Sequence, residues 1–209
     1  MVDAVDIDKA QGFRDYTILQ VLFDSGARAS EVAQLNLDYF NPEQNTLAIL
    51  GKGNRFRQVE LEPETVRTLQ IYIARYRKAP KPAYRKRLFI SQHGRALTRH
   101  GIYRLCRKYL RLALSEKRLA TLNPVHSLRH ACAMNMLAEG YSLSEIRNQL
   151  GHEDIQSTMV YLQMDLSRRR KIQKKFTEHS RSVMARNAEI EELIDKKEKE
   201  DIMAWLDSL

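Results

Sequence analysis

The chain has 209 residues, enough for one sizeable hydrophobic core or two small ones. Its formal net charge is +9, and the charge is uneven: residues 65–115 hold 14 Lys and Arg and no acidic residue, whereas residues 187–209 hold 8 acidic and 3 basic residues. No signal peptide, transit sequence or apolar run of about 20 residues is visible, which argues against a membrane protein and favours nucleic acid as the partner of the basic block.

The first part of the chain predicts two helices that meet at an arginine. Residues 1–12 show little pattern and are expected to be a linker or an edge of the chain. Apolar residues recur at helical spacing over residues 15–25, and Gly26 is the expected end of that helix. A second helix is predicted over residues 29–35, which places Arg28 at the junction. Taken alone, Arg28 would be interpreted as a surface residue near a helix start.

A β-hairpin is predicted next. Strand-like runs over residues 46–50 and 55–61 flank the sequence Gly-Lys-Gly-Asn, which is typical of a tight turn. Lys52 would lie at the tip, where a lysine is most often only solvated. An amphipathic helix is predicted after the hairpin, over residues 64–76.

A strongly basic helix is predicted over residues 99–114, capped by Thr98. Its apolar positions, which include Cys106 and Leu112, leave a second face that is basic and has no acidic neighbours. The basic residues of the helix are Arg99, Arg104, Arg107, Lys108 and Arg111. Such a face favours contacts with nucleic-acid phosphates. Cys106 and Cys132 are both expected to be buried free thiols of a cytoplasmic protein.

A further helix, over residues 126–138, begins near Pro124 and is expected to end at Gly140. His126 and Arg129 are three residues apart, so both would project from one face of its first turn. The backbone N–H groups of a first helical turn favour an anion.

The segment after this helix brings two more reactive side chains. A short helix over residues 144–150, capped by a serine, is expected to end at Gly151, and His152 follows directly. Another short helix, over residues 155–161, would bring the phenol of Tyr161 back towards these groups.

Together these motifs resemble the catalytic signature of the tyrosine recombinases, the phage integrase family. HSLRH, then LGH, then a Tyr nine residues after that His is similar to its second half. SGARASEVAQL and the Gly-Lys-Gly turn are similar to the arginine and lysine motifs of its first half. The resemblance covers about residues 13–165, and the order and spacing of five motif positions make it specific.

The resemblance implies a mainly α fold with a small antiparallel β-sheet or hairpin, an α+β class with the architecture of a tyrosine recombinase catalytic domain. We expect that domain over residues 13–178. Residues 179–209 would form a helical tail, and we expect its terminal apolar stripe to dock on a neighbouring subunit because the family links its subunits in this way. Family members usually carry a helical domain before the catalytic domain, whereas only about 12 residues precede it here. The chain is therefore expected to be either a fragment or a single-domain variant.

The resemblance also implies a set of catalytic residues: Arg28, Lys52, His126, Arg129, His152 and Tyr161. The two arginines would hold the non-bridging oxygens of a phosphodiester. His126 would accept the proton of the Tyr161 nucleophile, and Lys52 would protonate the leaving 5′ oxygen.

Three further residues have supporting roles in this interpretation. His152 would donate a hydrogen bond to a non-bridging oxygen. Glu31 is expected to orient an arginine or to cap its helix locally. His130 is expected to support its neighbours from within the helix more than to act directly.

The implied reaction is site-specific DNA recombination, integration or excision, through a covalent 3′-phosphotyrosine intermediate on double-stranded DNA. No metal and no cofactor would be needed, and the enzyme would assemble as a homo-oligomer, a tetramer, on the DNA of the nucleoid. Two alternatives remain open. The same residues would serve a type IB topoisomerase-like enzyme or a hairpin resolvase, and a non-catalytic DNA-binding protein could retain the fold.

Overall fold

The computed structural model describes residues 5–151, apart from the side chain of Lys52. The helix predicted over residues 155–161 and the tail over residues 179–209 lie outside the described residues, as do His152 and Tyr161.

The described part of the chain is mainly α-helical with a small antiparallel sheet, which confirms the predicted fold class. Its helices are α1 (Ala10–Ser25), α2 (Ala29–Gln34), α3 (Pro63–Ile71), α4 (Arg99–Ala113), α5 (Glu116–Ala120), α6 (Pro124–Glu139) and α7 (Leu143–Leu150). Its strands are β1 (Phe40–Asn41), β2 (Thr46–Leu50) and β3 (Phe56–Glu60). In this range no helix is both long and apolar enough to cross a membrane.

Helix α1 forms the centre of the core. Ile18, Val21 and Leu22 are completely buried, and the helix packs against α3, α4 and α6. It begins at Ala10, inside the segment expected to be a linker, and Val5 also packs into the core. It ends as predicted at Gly26, whose φ of 61° is the left-handed conformation that favours glycine.

The predicted hairpin is present, and its register places one face of the sheet in the core. Strands β2 and β3 pair antiparallel, with Leu47 opposite Val59 and Ile49 opposite Arg57. Leu47, Ile49 and Val59 are buried, so Arg57 lies on the inner face as well. A short strand β1, which was not predicted, pairs with the outer edge of β2.

Two helices differ from the sequence prediction in detail. Helix α3 ends at Ile71 and continues as one π-helical turn, Tyr72–Tyr76. In α4 the prediction that Leu112 belongs to the buried face is wrong, because Leu112 is 63% exposed whereas Leu110 is buried. Both leucines lie at edges of the apolar stripe, where burial depends on which side the neighbouring helices cover.

The helices that carry the HSLRH and LGH motifs form as predicted. Helix α6 begins at Pro124 and ends at Gly140, with φ 96°. Helix α7 is capped by Ser142 and ends at Gly151, with φ 65°. Each end is explained by a local residue preference: proline in the first turn, serine at the N-cap, and glycine in the left-handed position after the last turn.

Both cysteines are buried and free, as predicted. Burial raises the pKa of each thiol to about 12, so both remain protonated at neutral pH.

Candidate active site

Arg28 lies at the N-cap of α2, directly above a buried carboxylate. Its backbone N–H donates to Oε2 of Glu31 at 2.8 Å, and its Nη1 donates to Oε1 of Glu31 at 2.8 Å. Glu31 therefore both caps the helix and orients the arginine, the two alternatives that the sequence had left open. The Arg28 side chain is 45% exposed, and within residues 5–151 its Nε and Nη2 donate to no protein group.

Arg57, an arginine that was not predicted from the sequence, binds the same carboxylate. Its Nη1 and Nη2 donate to the two oxygens of Glu31 at 3.1 and 2.8 Å, and its Nε donates to the backbone oxygen of Gln149 at 3.0 Å. The one signal in the sequence was its position: Arg57 alternates with Val59 along β3, and a charged residue on the inner face of a strand requires a partner.

The Glu31 carboxylate is held in its charged form by these two arginines. Burial raises its pKa, but the hydrogen bonds and charge of Arg57, with the hydrogen bonds from Arg28, outweigh burial and leave the pKa below its ordinary value of 4.5. Glu31 accepts four hydrogen bonds in all.

Arg129 is buried where two helices end. Nη1 donates to the backbone oxygen of Gly26, and Nη2 donates to that of Leu150, both at 2.7 Å. Gly26 follows α1 and Leu150 is the last residue of α7, so the guanidinium supplies positive charge at two helix C-termini. Only 2% of the Arg129 surface is exposed. His126 and Arg129 are three residues apart on α6, as expected for one helix face, but His126 is exposed and Arg129 is buried.

His126 lies one helical turn before Arg129 on α6. Partial desolvation of the imidazole lowers its pKa below 6.5, and the positive charges of Arg129 and then Arg28 lower it further. A neutral imidazole at neutral pH can accept a proton. The backbone N–H of His126, one of those expected to favour an anion, donates instead to the Asn123 side chain at 3.2 Å.

His130 packs edge-on against His126, with 4.3 Å between the ring centroids and 78° between the ring planes. Burial lowers the pKa of His130, and the charges of His126 and Arg129 lower it further. His130 thus lies one helical turn after His126 on α6.

The hairpin turn and the end of α7 both approach Arg57. Lys52 lies in the turn Lys52–Asn54, immediately after Gly51. A Cβ atom added to Gly51 would lie 3.6 Å from Nη1 of Arg57, and one added to Gly151 would lie 2.9 Å from the same atom. Lys52 and His152 follow these glycines in sequence, and the structure describes neither side chain.

The basic residues predicted on α4 are all exposed: Arg99, Arg104, Arg107, Lys108 and Arg111. Lys108 also donates to the hydroxyl of Tyr109 at 3.2 Å, with its ammonium 4.6 Å from the centre of that ring. Contact between this face and DNA remains a prediction. Across residues 5–151, no three His, Cys, Asp or Glu side chains are grouped so that they could hold a metal ion.

Comparison with known proteins agrees with the motifs. The sequence pattern of the phage integrase family matches residues 1–168. The chain belongs to the phage integrase family. This membership confirms the resemblance from which the site residues were predicted.

Relatives within the phage integrase family include bacterial recombinases. The tyrosine recombinase XerD of Staphylococcus haemolyticus is 34% identical over 178 residues, covering 84% of this chain and 59% of that protein. The protein of the same name from Staphylococcus aureus strain Mu50 is 32% identical over 177 residues, with the same coverage. The chain thus spans 59% of the length of these relatives.

Solved structures of the family share this fold. The crystal structure of XerA recombinase matches with a TM-score of 0.62 at 25% identity, covering 71% of this chain and 51% of that one. XerH recombinase bound to a palindromic difH substrate, in a post-cleavage complex, matches with a TM-score of 0.69 at 24% identity, covering 82% and 48%.

Proposed function

We propose that this chain is the catalytic part of a site-specific recombinase that cleaves and rejoins double-stranded DNA through a covalent 3′-phosphotyrosine. One observation carries the proposal: Arg129 donates to the backbone oxygen of Gly26, two residues before Arg28, and His126 lies one turn before Arg129 on α6, so two guanidiniums and an imidazole belong to one region. Two fixed positive charges suit the pentacoordinate phosphate of a phosphodiester cleavage, and a neutral imidazole suits the removal of a phenolic proton. The recombinase names of the relatives support the same reaction.

The proposed cleavage step moves two protons and exchanges one phosphorus–oxygen bond. The Tyr161 oxygen attacks the phosphorus and passes its proton to His126. The bond from phosphorus to the 5′ oxygen breaks, and Lys52 protonates the departing oxygen. Arg28 would donate hydrogen bonds from its Nε and Nη2 groups to the non-bridging oxygens, and the buried Arg129 would add positive charge. A 5′-hydroxyl of a second strand then reverses the step, so no external energy source is required.

Other residues complete this proposal. His152 would donate a hydrogen bond to a non-bridging oxygen, and Glu31 and His130 would hold the groups beside them. The exposed basic face of α4 would contact DNA phosphates. The subunits would assemble as a tetramer on cytoplasmic DNA through residues 179–209.

Covalent trapping tests the proposal. Duplexes that the full chain binds are selected from a random pool, nicked at successive positions, and incubated with the protein. The expected result is an SDS-stable, protease-sensitive adduct. Tyr161→Phe should abolish the adduct without loss of DNA binding, whereas the exposed Tyr141→Phe, a matched control, should leave it intact.

The outcomes separate the rival functions. No adduct on any duplex that the chain binds, also after fusion to the part of a relative that the chain does not match, would favour a non-catalytic DNA-binding protein. Relaxation of a supercoiled plasmid by the monomer, without pairing of two sites, would favour the topoisomerase-like activity. Strand exchange that requires two sites would support the recombinase.

A further inference from the structure

We propose that Arg57 is a positioning residue. It keeps Arg28 available for phosphate and fixes the end of α7, shortly before His152 in the sequence. The inference rests on the proposed function for its consequence, but the contacts that carry it belong to the described residues. Arg57 makes no bond and moves no proton in the proposed cleavage step. It acts through Glu31 and the backbone of Gln149.

The guanidinium of Arg57 joins three segments that are distant in sequence. It belongs to β3, pairs with a carboxylate of α2 that lies 26 residues away, and donates to a carbonyl of α7 that lies 92 residues away. Its side chain is 14% exposed and that of Glu31 is 5% exposed, so the pair is largely shielded from water. A shielded, two-pronged ion pair is more rigid and more specific than a surface one.

Arg57 also determines which N–H groups of Arg28 remain available to a phosphate. A buried carboxylate has about four acceptor positions, and all four are occupied: two by Arg57 and two by Arg28, of which one is a backbone bond. Without Arg57, the two vacated positions would attract the remaining N–H groups of Arg28. Those N–H groups are the ones that the phosphate would need.

The packing around Arg57 leaves little room for movement. A Cβ on Gly151 would lie 2.9 to 3.1 Å from Nη1, Cδ and Cζ of Arg57, so the backbone at the end of α7 rests directly on the guanidinium. The Nε bond to Gln149 fixes the same turn from the side. His152 follows Gly151 in the chain, so a shift of Arg57 would be passed to the residue proposed to contact the phosphate.

The test compares Arg57→Gln and Arg57→Lys with Arg87→Gln in the full chain. Arg87 is a matched control because it is also half-buried and bridges two segments, donating to the backbone oxygen of Gln34 at 2.6 Å. The rate of adduct formation is measured in single turnovers at saturating concentrations of the selected nicked duplex. DNA affinity is measured separately in the Tyr161→Phe background.

We expect Arg57→Gln to lower the adduct rate at saturating DNA about 100-fold, the usual effect of misplacing catalytic groups by about 1 Å, with DNA affinity little changed. Arg57→Lys should recover part of the rate, since an ammonium can serve Glu31 but cannot also reach Gln149. Arg87→Gln should lower the thermal midpoint without lowering the rate of the folded protein. In a Glu31→Gln background, Arg57→Gln should cost clearly less, because the shared carboxylate is absent.

A second measurement does not depend on activity. Amide hydrogen exchange should become faster at Arg28 and Gly151 in Arg57→Gln, and not in Arg87→Gln. If the wild-type chain forms no adduct, the proposed function fails, while this exchange pattern still tests the coupling. An unchanged adduct rate at saturating DNA, or equal exchange at both amides in the two glutamine variants, would overturn the role of Arg57.

Discussion

Replacing Glu31 by glutamine should destabilise the protein strongly, although the two side chains have nearly the same shape. The carboxylate accepts hydrogen bonds of 2.8, 2.8, 3.1 and 2.8 Å from Arg28 and Arg57. An amide keeps one acceptor oxygen and turns an NH₂ group towards the remaining donors, so two bonds are lost. Hydrogen bonds to charged groups contribute about 1.5–3 kcal/mol each.

The exposure of the two arginines determines how much stability the substitution removes. Its side chain is 45% exposed and can be hydrated again, whereas Arg57 is 14% exposed and keeps little water. We therefore expect the free energy of unfolding to fall by about 3 kcal/mol, the lower end of the range for a broken buried ion pair. For a chain of this size that corresponds to a fall of roughly 6–12 °C in the unfolding midpoint. Urea unfolding of the full chain, monitored by circular dichroism, measures the change in the free energy of unfolding.

The pH dependence provides an independent check. Because the folded-state pKa of Glu31 lies below 4.5, its contribution to stability is complete above the unfolded-state pKa and is lost as the pH falls through the folded-state pKa. The difference in unfolding free energy between wild type and Glu31→Gln should therefore shrink below pH 4.5. Glu139→Gln is the control, since Glu139 is exposed and accepts a single bond from Asn135, and it should change stability by less than about 0.5 kcal/mol. A loss below about 1 kcal/mol for Glu31→Gln would refute the reasoning.

Three other outcomes are expected. Gly26→Ala should lower the free energy of unfolding in urea more than Gly53→Ala does. Both residues have left-handed φ values, of 61° and 71°, but of the two only the Cβ at residue 26 would clash, with Cδ2 of Leu150. Equal losses of stability would contradict this. Ser142→Ala removes the side-chain cap of α7 and should cost about 1 kcal/mol in the same assay, and no change would mean that the cap is unimportant. The rate of DNA adduct formation should fall on acidification with a midpoint below pH 6.5, because His126 must be neutral to accept a proton. A series of rate measurements at different pH values determines the midpoint. A midpoint above pH 6.5 would exclude this role of His126.

Features that depend on neighbouring residues could be predicted from the sequence. The helix ends at Gly26, Gly140 and Gly151 follow from a preference of glycine for the left-handed conformation that needs no distant partner. The hairpin followed from alternation and a glycine-containing turn. Likewise, Arg28 and Glu31 belong to one helix start, so their contact was within reach of sequence reasoning.

Features that depend on distant partners were missed or misjudged. Arg57 escaped notice because its partners lie 26 and 92 residues away. The burial of Arg129 depends on the ends of two other helices, which no pattern inside HSLRH encodes. Leu112 occupies an edge of its helix stripe, where the packing of neighbours decides exposure. Contacts within one helix start could thus be predicted from the sequence, whereas contacts between distant segments could not.

The position of Arg129 determines when α6 can dock during synthesis of the chain. Its acceptor at Gly26 precedes it by 103 residues, but its acceptor at Leu150 follows it by 21 residues. At about 5–20 residues per second, translation adds Leu150 roughly 1–4 s after Arg129. Burial of a guanidinium is costly until its acceptors are present, so we expect α6 to dock fully only after α7 has been synthesised. A chain that stops before Leu150 would expose the HSLRH helix to proteases, and only chains translated beyond that point would assemble the arginine in its final place.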